Sequence, residues 1–289
     1  MAVKAKDYAS DIRPTWCPGC GDFGILAALK QALVKAELPP HQVLVVSGIG
    51  CGSKLPDYAT VNGFMTLHGR PLPVATGARL ANHGLKVVTV HGDGDGLGLG
   101  MGHFIHTARR NIGIVDILQN NQIYGLTKGQ YSPTSDAGFI TSTSPEGAIE
   151  MAANPVALAL TAGATFIARG FAGNVKHLVG IVAQALTHEG YALVDILQPC
   201  VTFNRKNTYD WYRERVYDLQ ETDYEPADRA AAFAKALEWG DRIPIGVIYR
   251  TRLPTYEEQV PALEAGPLAP RKLARLTAAE IESLRAEFF

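Results

Sequence analysis

The chain reads as an α/β protein built on a mostly parallel sheet with helices on both faces. Apolar runs of strand length alternate with segments of helical periodicity through the first two thirds of its 289 residues, the pattern of successive β-α-β units. Two of these runs, Val87–Val90 and Ile114–Leu118, are almost continuously apolar, as strands covered on both sides are. The first of them empties straight into a glycine-rich turn beginning at Gly92, which is how a strand hands over to a helix at the ligand edge of such a sheet.

Taken in order, Phe23–Ala36 repeats apolar residues at helical spacing, and a strand over Val43–Val46 follows the breakers Pro39 and Pro40. A helix is expected over Val74–Asn82, then strand Val87–Val90, helix Leu99–Arg110 and strand Ile114–Leu118. Arg109 and Arg110 fall at that helix's carboxyl end, where cations complement the helix dipole. Past the TKGQYSPTS loop, helix Pro155–Ala162 leads to strand Thr165–Ala168, and helix Val175–His188 to strand Ala192–Leu197. The pattern then loosens into a charged stretch Asp210–Asp228, a helix near Arg229–Trp239, a strand Ile245–Tyr249, a proline-rich run and a short amphipathic helix around Ala278–Phe288. No repeat or long linker divides the sequence, so residues 1–289 are expected to form a single domain with 207–289 as a less regular C-terminal extension.

Composition narrows the function classes. A net charge of −1 supplies no basic field for nucleic acid, and an apolar fraction of 47% allows a large core. No apolar run is long enough to cross a bilayer, and MAVKAKDYASDIRP lacks the apolar core of a signal peptide. A cytoplasmic protein that engages neither membrane nor nucleic acid is expected.

Chemistry concentrates between Gly92 and Asn121, GDGDGLGLGMGHFIHTARRNIGIVDILQNN. Two neighbouring strand ends here present a carboxylate and an amide, hard oxygen ligands that suit Mg2+ bridging a diphosphate. Glycines let the backbone approach phosphate oxygens that a Cβ would hold away. GDGDG contains two overlapping triplets; Asp93, the first carboxylate past the strand, is the expected ligand and Asp95 the alternative. With Asn121 as the second ligand, the Ile123 carbonyl is placed to be a third. GDG followed, after a helix and a strand, by NN resembles the thiamine diphosphate motif; an ordinary glycine-rich dinucleotide turn is the competing reading.

Cysteine forms the second constellation. The four present are Cys17 and Cys20 in WCPGCG, Cys51 in GIGCGS and Cys200 in LQPCVT. Four thiolates are enough for one zinc ion or one [4Fe-4S] cube. Cys51 and Cys200 each follow an expected parallel strand, which brings them to the edge that carries Asp93 and Asn121. That location favours a redox cluster over a structural zinc, and a thioredoxin-like dithiol would leave Cys51 and Cys200 unexplained.

WCPGCG, GIGCGSK, HGRPLPVATG, GDGDGLGLGMGHFIHTARRN, NNQIYGLTKGQYSPT and QPC, in that order from Trp16 to Cys200, resemble the β subunits of the 2-oxoacid:ferredoxin oxidoreductases. YGLTKGQ is more similar to the 2-oxoglutarate and broad-range enzymes than to the dedicated pyruvate enzymes. The resemblance implies a thiamine diphosphate-binding, pyrophosphate-type fold and coenzyme A-dependent oxidative decarboxylation of a 2-oxoacid, with 2-oxoglutarate giving succinyl-CoA and CO2. Electrons would leave one at a time through the cluster to ferredoxin. It also implies an α, or fused γα, partner in an αβ or (αβ)2 assembly.

Residue by residue, the resemblance implies cluster ligation by Cys17, Cys20, Cys51 and Cys200, and Mg2+ on Asp93, Asn121 and Ile123. Gly92, Gly94, Asp95, Gly125 and Leu126 would shape the diphosphate pocket. Ile49, Gly50, Cys51 and Gly52 would touch cofactor and cluster alike, and His68 matches a position near the cofactor. Lys54 and Lys128 follow site motifs closely and are expected as cations facing substrate carboxylates, whose burial needs neutralising. Thiamine enzymes need a glutamate beside the aminopyrimidine, and the only one between Cys17 and Lys128 is Glu37, at the end of a surface helix. The α chain is expected to supply it. Alternatives are a pyruvate or broad-range enzyme, a nonredox thiamine enzyme with structural zinc, and a zinc-stabilised binding module.

Overall fold

The computed structural model describes residues 2–272 and 276–288. Strands run in chain order β1 Val43–Ser47, β2 Asn62–Met65, β3 Lys86–Gly92, β4 Ile114–Asn120, β5 Ile123–Tyr124, β6 Gln130–Tyr131, β7 Phe166–Phe171, β8 Ala192–Leu197, β9 Val216–Asp218 and β10 Ile243–Arg250. Eight of them form one sheet in the order β2-β1-β3-β4-β8-β7-β10-β9. All neighbouring pairs in it are parallel except β10 against β7. The remaining two, β5 and β6, pair antiparallel as a small hairpin beside the site.

The central strands explain this topology. Every residue of β4, β7 and β8 is buried, which only a strand covered on both faces permits. One face packs under α1 Asp22–Lys35 and α5 Val175–Thr187. The other packs under α2 Pro71–Ala81, α3 Met101–Arg109, α4 Pro155–Ala162 and α7 Arg229–Leu237; the short α6 Tyr209–Arg213 and the C-terminal α8 Ala278–Ala286 complete the helices. Helix starts follow capping chemistry. Asn154 and Asn174 accept the backbone N–H of Ala157 and His177, and Pro155 occupies the first turn of α4, where its missing N–H costs nothing.

Several boundaries differ from the sequence expectation. The expected helix from Leu99 begins instead at Met101, after a wide π-type turn over Gly94–Leu99. Glycines at 94, 96 and 98 give α-helix too little propensity to compete there, and such wide turns recur at functional sites. The edge strand β2, exposed throughout, and the two-residue strands β5 and β6 carried no periodic signal. Within the C-terminal stretch, β9 and β10 join the main sheet and α7 packs on its second face.

The ends of β1, β3, β4 and β8, four adjacent strands, define one rim. It carries Ile49–Gly52 after β1, the Asp93 turn after β3, Asn121 after β4 and Cys200 after β8. Among the described residues no helix is long and apolar enough to cross a membrane.

Candidate active site

A cavity of about 530 Å³ opens on this rim. All thirteen residues expected to touch the cofactor line it: Ile49, Gly50, Cys51, Gly52, His68, Gly92, Asp93, Gly94, Asp95, Asn121, Ile123, Gly125 and Leu126. Beside it lies a cavity of about 880 Å³ lined by Cys17, Cys20, Cys51 and Cys200 together with Lys54 and Lys128. Cys51, Asn121, Gly125, Leu126 and Gln198 line both.

Asp93 is the carboxylate placed at the end of β3. Its Oδ2 accepts the hydroxyls of Ser132 and of Thr134, the latter at 2.6 Å, and its Oδ1 faces the Asn121 N–H at 3.3 Å. Burial drives its pKa up against these donors, so without a cation the charge here is costly. Asp95 points toward β1 instead. Its Oδ1 accepts the Ile49 and Gly69 amides at 3.2 and 2.8 Å, and Oδ2 is buried with no partner. His68 Nδ1 lies 2.9 Å from Asp95 Oδ1, out of line for a hydrogen bond.

The paired asparagines separate. Asn120 donates to Asp195 at 3.0 Å and sets its Oδ1 2.9 Å from the Thr134 hydroxyl, while Asn121 stays on the rim with its Oδ1 accepting the Ile123 N–H at 3.1 Å. Gln122 follows at φ 56, a left-handed step that swings the chain from β4 into the β5–β6 hairpin. Tyr124, on that hairpin, lays its ring over Gly94: a Cβ there would fall 2.2 Å from Tyr124 Cε1. The middle glycine of the turn is thus required by contact.

Beneath the turn, His91 Nε2 and Asp116 Oδ1 form a fully buried pair 2.6 Å apart. Burial opposes protonation of His91, but Asp116 outweighs it and lifts the imidazole to about 9. Burial would raise Asp116; the charge and hydrogen bond of His91 hold it below the ordinary value instead, with Thr89 and Tyr191 hydroxyls each donating at 2.6 Å. The pair bridges β3 to β4 just before the turn.

The residues fit the groups they were expected to hold. The diphosphate cavity contains a buried carboxylate oxygen and a buried amide, Asp95 Oδ2 and the Gln119 side chain, with no protein partner, where native interiors usually satisfy such groups. Gly125 lies between two of the cysteines: a Cβ added there would stand 3.6 Å from Cys51 Sγ and 3.7 Å from Cys200 Sγ, ordinary contact distances. All four thiols are free. Among the described residues no three His, Cys, Asp or Glu side chains converge on a single-ion position. Burial pushes the Cys51 thiol up to about 11 and the Cys20 thiol higher still, so any metal group bound through these sulfurs would displace protons.

Lys54 and Lys128 stand on the thiol cavity and not on the wall of the diphosphate cavity. Lys54 Nζ donates to Thr15 Oγ1 at 3.0 Å, and Lys128 is held at φ 76 in the turn after Leu126. Six contributors escaped the sequence reading: Ser132 and Thr134 on Asp93, and Gln119, Tyr124, Thr127 and Gln198 on the cavity walls. The hydroxyl-rich SPTS run and the amide beside Cys200 were the available signals. No glutamate lines either cavity among the described residues.

Residues 40–196 match the family described as thiamine pyrophosphate enzyme, C-terminal TPP binding domain, and residues 200–265 match the C-terminal family of the pyruvate ferredoxin oxidoreductase beta subunit. The chain is 48% identical over 260 residues to a 2-oxoacid:ferredoxin oxidoreductase subunit beta of Sulfolobus sp, covering 86% of this chain and 85% of that one. It is 47% identical over 201 residues to the 2-oxoglutarate oxidoreductase subunit KorB of Mycobacterium tuberculosis, covering 70% and 54%. Its fold superposes on the 2-oxoglutarate:ferredoxin oxidoreductase from Magnetococcus marinus, solved with 2-oxoglutarate, coenzyme A and succinyl-CoA bound, with a TM-score of 0.90, 39% identity and coverage of 98% and 96%.

Proposed function

Because the chain belongs to the 2-oxoacid:ferredoxin oxidoreductase β subunits, we propose that it binds thiamine diphosphate through Mg2+ on Asp93, Asn121 and the Ile123 carbonyl and carries a [4Fe-4S] cluster on Cys17, Cys20, Cys51 and Cys200. It is the β subunit of a thiamine diphosphate-dependent enzyme that works with an α subunit. The proposed reaction is conversion of 2-oxoglutarate and coenzyme A to succinyl-CoA and CO2, with ferredoxin as acceptor. The observation that carries this reading is the shared wall of the two cavities, formed by Cys51, Asn121, Gly125, Leu126 and Gln198.

When bound, the cofactors supply a nucleophilic carbon with an electron sink and a one-electron acceptor. The protein's own residues position them. Asp93 is pre-oriented by Ser132 and Thr134, and the π-type turn leaves the Gly94 and Asp95 backbone against the diphosphate position. Asp95 fixes the β1 rim by accepting Ile49 and Gly69 amides, which sets the approach of the Cys51 segment. His68 stands over the same cavity. Lys54 and Lys128 place positive charge on the wall of the adjoining thiol-lined cavity, and in this reading they face the substrate's carboxylates. The α chain completes the site with the glutamate that these walls lack.

Residues 1–289 act as one thiamine diphosphate-binding domain, since one sheet runs through both matched stretches, and four free thiols suit a reducing cytoplasm. The test is anaerobic purification with the α chain and assay of coenzyme A-dependent ferredoxin reduction over a panel of 2-oxoacids. Roughly four irons per β chain and a preference for 2-oxoglutarate are expected. A colourless protein with one zinc, or activity confined to pyruvate, refutes the cluster or the substrate respectively.

A further inference from the structure

We propose that Gln198 is a positioning residue that links the two centres, tuning the cluster through Cys20 and fixing the orientation of the magnesium ligand Asn121. Gln198 is 2% exposed, on the residue that follows β8. Its Nε2 donates to Cys20 Sγ at 3.5 Å, and its Oε1 accepts from Asn121 Nδ2 at 3.2 Å. A single amide therefore touches a proposed iron ligand at one end and a proposed Mg2+ ligand at the other. The inference rests on the cofactor assignment above.

Chemistry at both ends fixes the direction of this chain of groups. An iron-bound thiolate sulfur can only accept, so Gln198 must turn its NH2 toward Cys20 and its oxygen toward Asn121. Asn121 must then use its own NH2 to answer that oxygen, which leaves Asn121 Oδ1 as the atom free to face a cation. The Ile123 N–H on Asn121 Oδ1, at 3.1 Å, enforces the same orientation. Thiolate at one end thus specifies oxygen at the other. Outer-shell partners of this kind set ligand orientation and metal affinity.

The surroundings hold Gln198 in place. Its backbone N–H donates to the Asn120 carbonyl at 2.9 Å, continuing the β4–β8 ladder one step beyond the strands. Its Cγ lies where a Cβ on Gly21 would be, 2.6 Å from that position, so the glycine after the CxxC pair gives the side chain room. Gly21 N in turn donates to the Pro199 carbonyl at 3.3 Å, which ties the two cysteine-bearing segments together on either side of the amide.

The test uses the anaerobic αβ holoenzyme. Iron content is measured first: wild type lacking iron overturns the cofactor assignment and is recognisable as that failure. The cluster potential is then read by EPR-monitored redox titration, and thiamine diphosphate affinity at limiting Mg2+ by calorimetry. Hydrogen bonds to cluster sulfurs stabilise the reduced state, so Gln198→Leu, which removes donor and acceptor together, lowers the potential and weakens Mg2+-dependent binding about ten-fold. Gln198→Glu keeps the shape and the acceptor for Asn121 but sets a carboxylate against the sulfur. It lowers the potential while holding Mg2+-dependent binding near wild type, a split that a space-filling role does not produce. A wild-type potential in either iron-loaded variant, or wild-type affinity in Gln198→Leu, overturns the proposal. Should Gln198→Leu fail to load iron, the potential and affinity of Gln198→Glu decide alone.

Discussion

Replacing Asp93 by asparagine separates what the carboxylate does for the fold from what it does for the metal. The side chain is buried, takes two hydroxyls on Oδ2 and faces the Asn121 amide from Oδ1. Asparagine keeps the volume and one acceptor oxygen, and Ser132 and Thr134 can reorient to accept from its NH2. Hydrogen bonds to a charged group contribute about 1.5–3 kcal/mol each. Against their weakening stands relief of a desolvation cost of several kcal/mol per buried charge, the effect that raises the Asp93 pKa. The two nearly cancel, so the metal-free variant should melt within about 8 °C of wild type, at roughly 2–4 °C per kcal/mol for a net change of no more than about 2 kcal/mol. Binding behaves differently. Loss of outer-shell partners alone costs 10–100-fold, so loss of a direct ligand should exceed about 100-fold, or about 2.8 kcal/mol at 1.4 kcal/mol per ten-fold. Calorimetric titration of thiamine diphosphate with Mg2+ into the αβ complex measures this. If Asp93→Asn binds within about three-fold of wild type while Asp95→Asn loses binding, the ligand is the second carboxylate of the GDGDG turn and the reasoning is refuted.

Cys200→Ala should abolish iron loading yet leave Mg2+-dependent thiamine diphosphate binding within about ten-fold of wild type, measured by iron assay and calorimetry; equal loss of both would mean the cavities are not separable. The His91–Asp116 pair predicts a pH dependence. A histidine raised to about 9 from an ordinary value of about 6.5 stabilises the fold fully below the ordinary value and loses that contribution as pH climbs through the folded one. The melting-temperature advantage of wild type over His91→Gln should thus be steady at pH 6 and shrink toward pH 9 to 10; an advantage that grew with pH would contradict the buried charge pair. Lys128→Met should raise KM for 2-oxoglutarate about ten-fold or more, the scale of one lost charge-assisted hydrogen bond, with little change for pyruvate; equal effects on both substrates would argue against carboxylate recognition.

The fold was legible where burial is uniform. Buried parallel strands must be apolar along their length, and β3, β4 and β8 announce themselves for that reason, as does the carboxyl-edge location of Asp93, Asn121, Cys51 and Cys200. What stayed hidden depends on contacts between distant segments. The π-type turn at Gly94–Leu99 is shaped by the Tyr124 ring, which lies on another element. Strand β2 is exposed and two-sided, so it has no alternation to read. Ser132, Thr134, Gln119 and Gln198 belong to the site only because a hairpin and two strand ends fold over it, a convergence that no spacing along the chain encodes. Lys54 and Lys128 were legible as cations near the motifs, but not which of two adjoining cavities they face.

The placement of the four cysteines bears on how the polypeptide is made. Cys17 and Cys20 precede α1 and Cys51 follows β1, whereas Cys200 arrives only after β3, β4, β7 and β8 have been synthesised. A chain leaving the ribosome would therefore expose three thiols well before the fourth could join them. A cube seated on all four would then act as a latch, closed last, between α1 and the segment after β8.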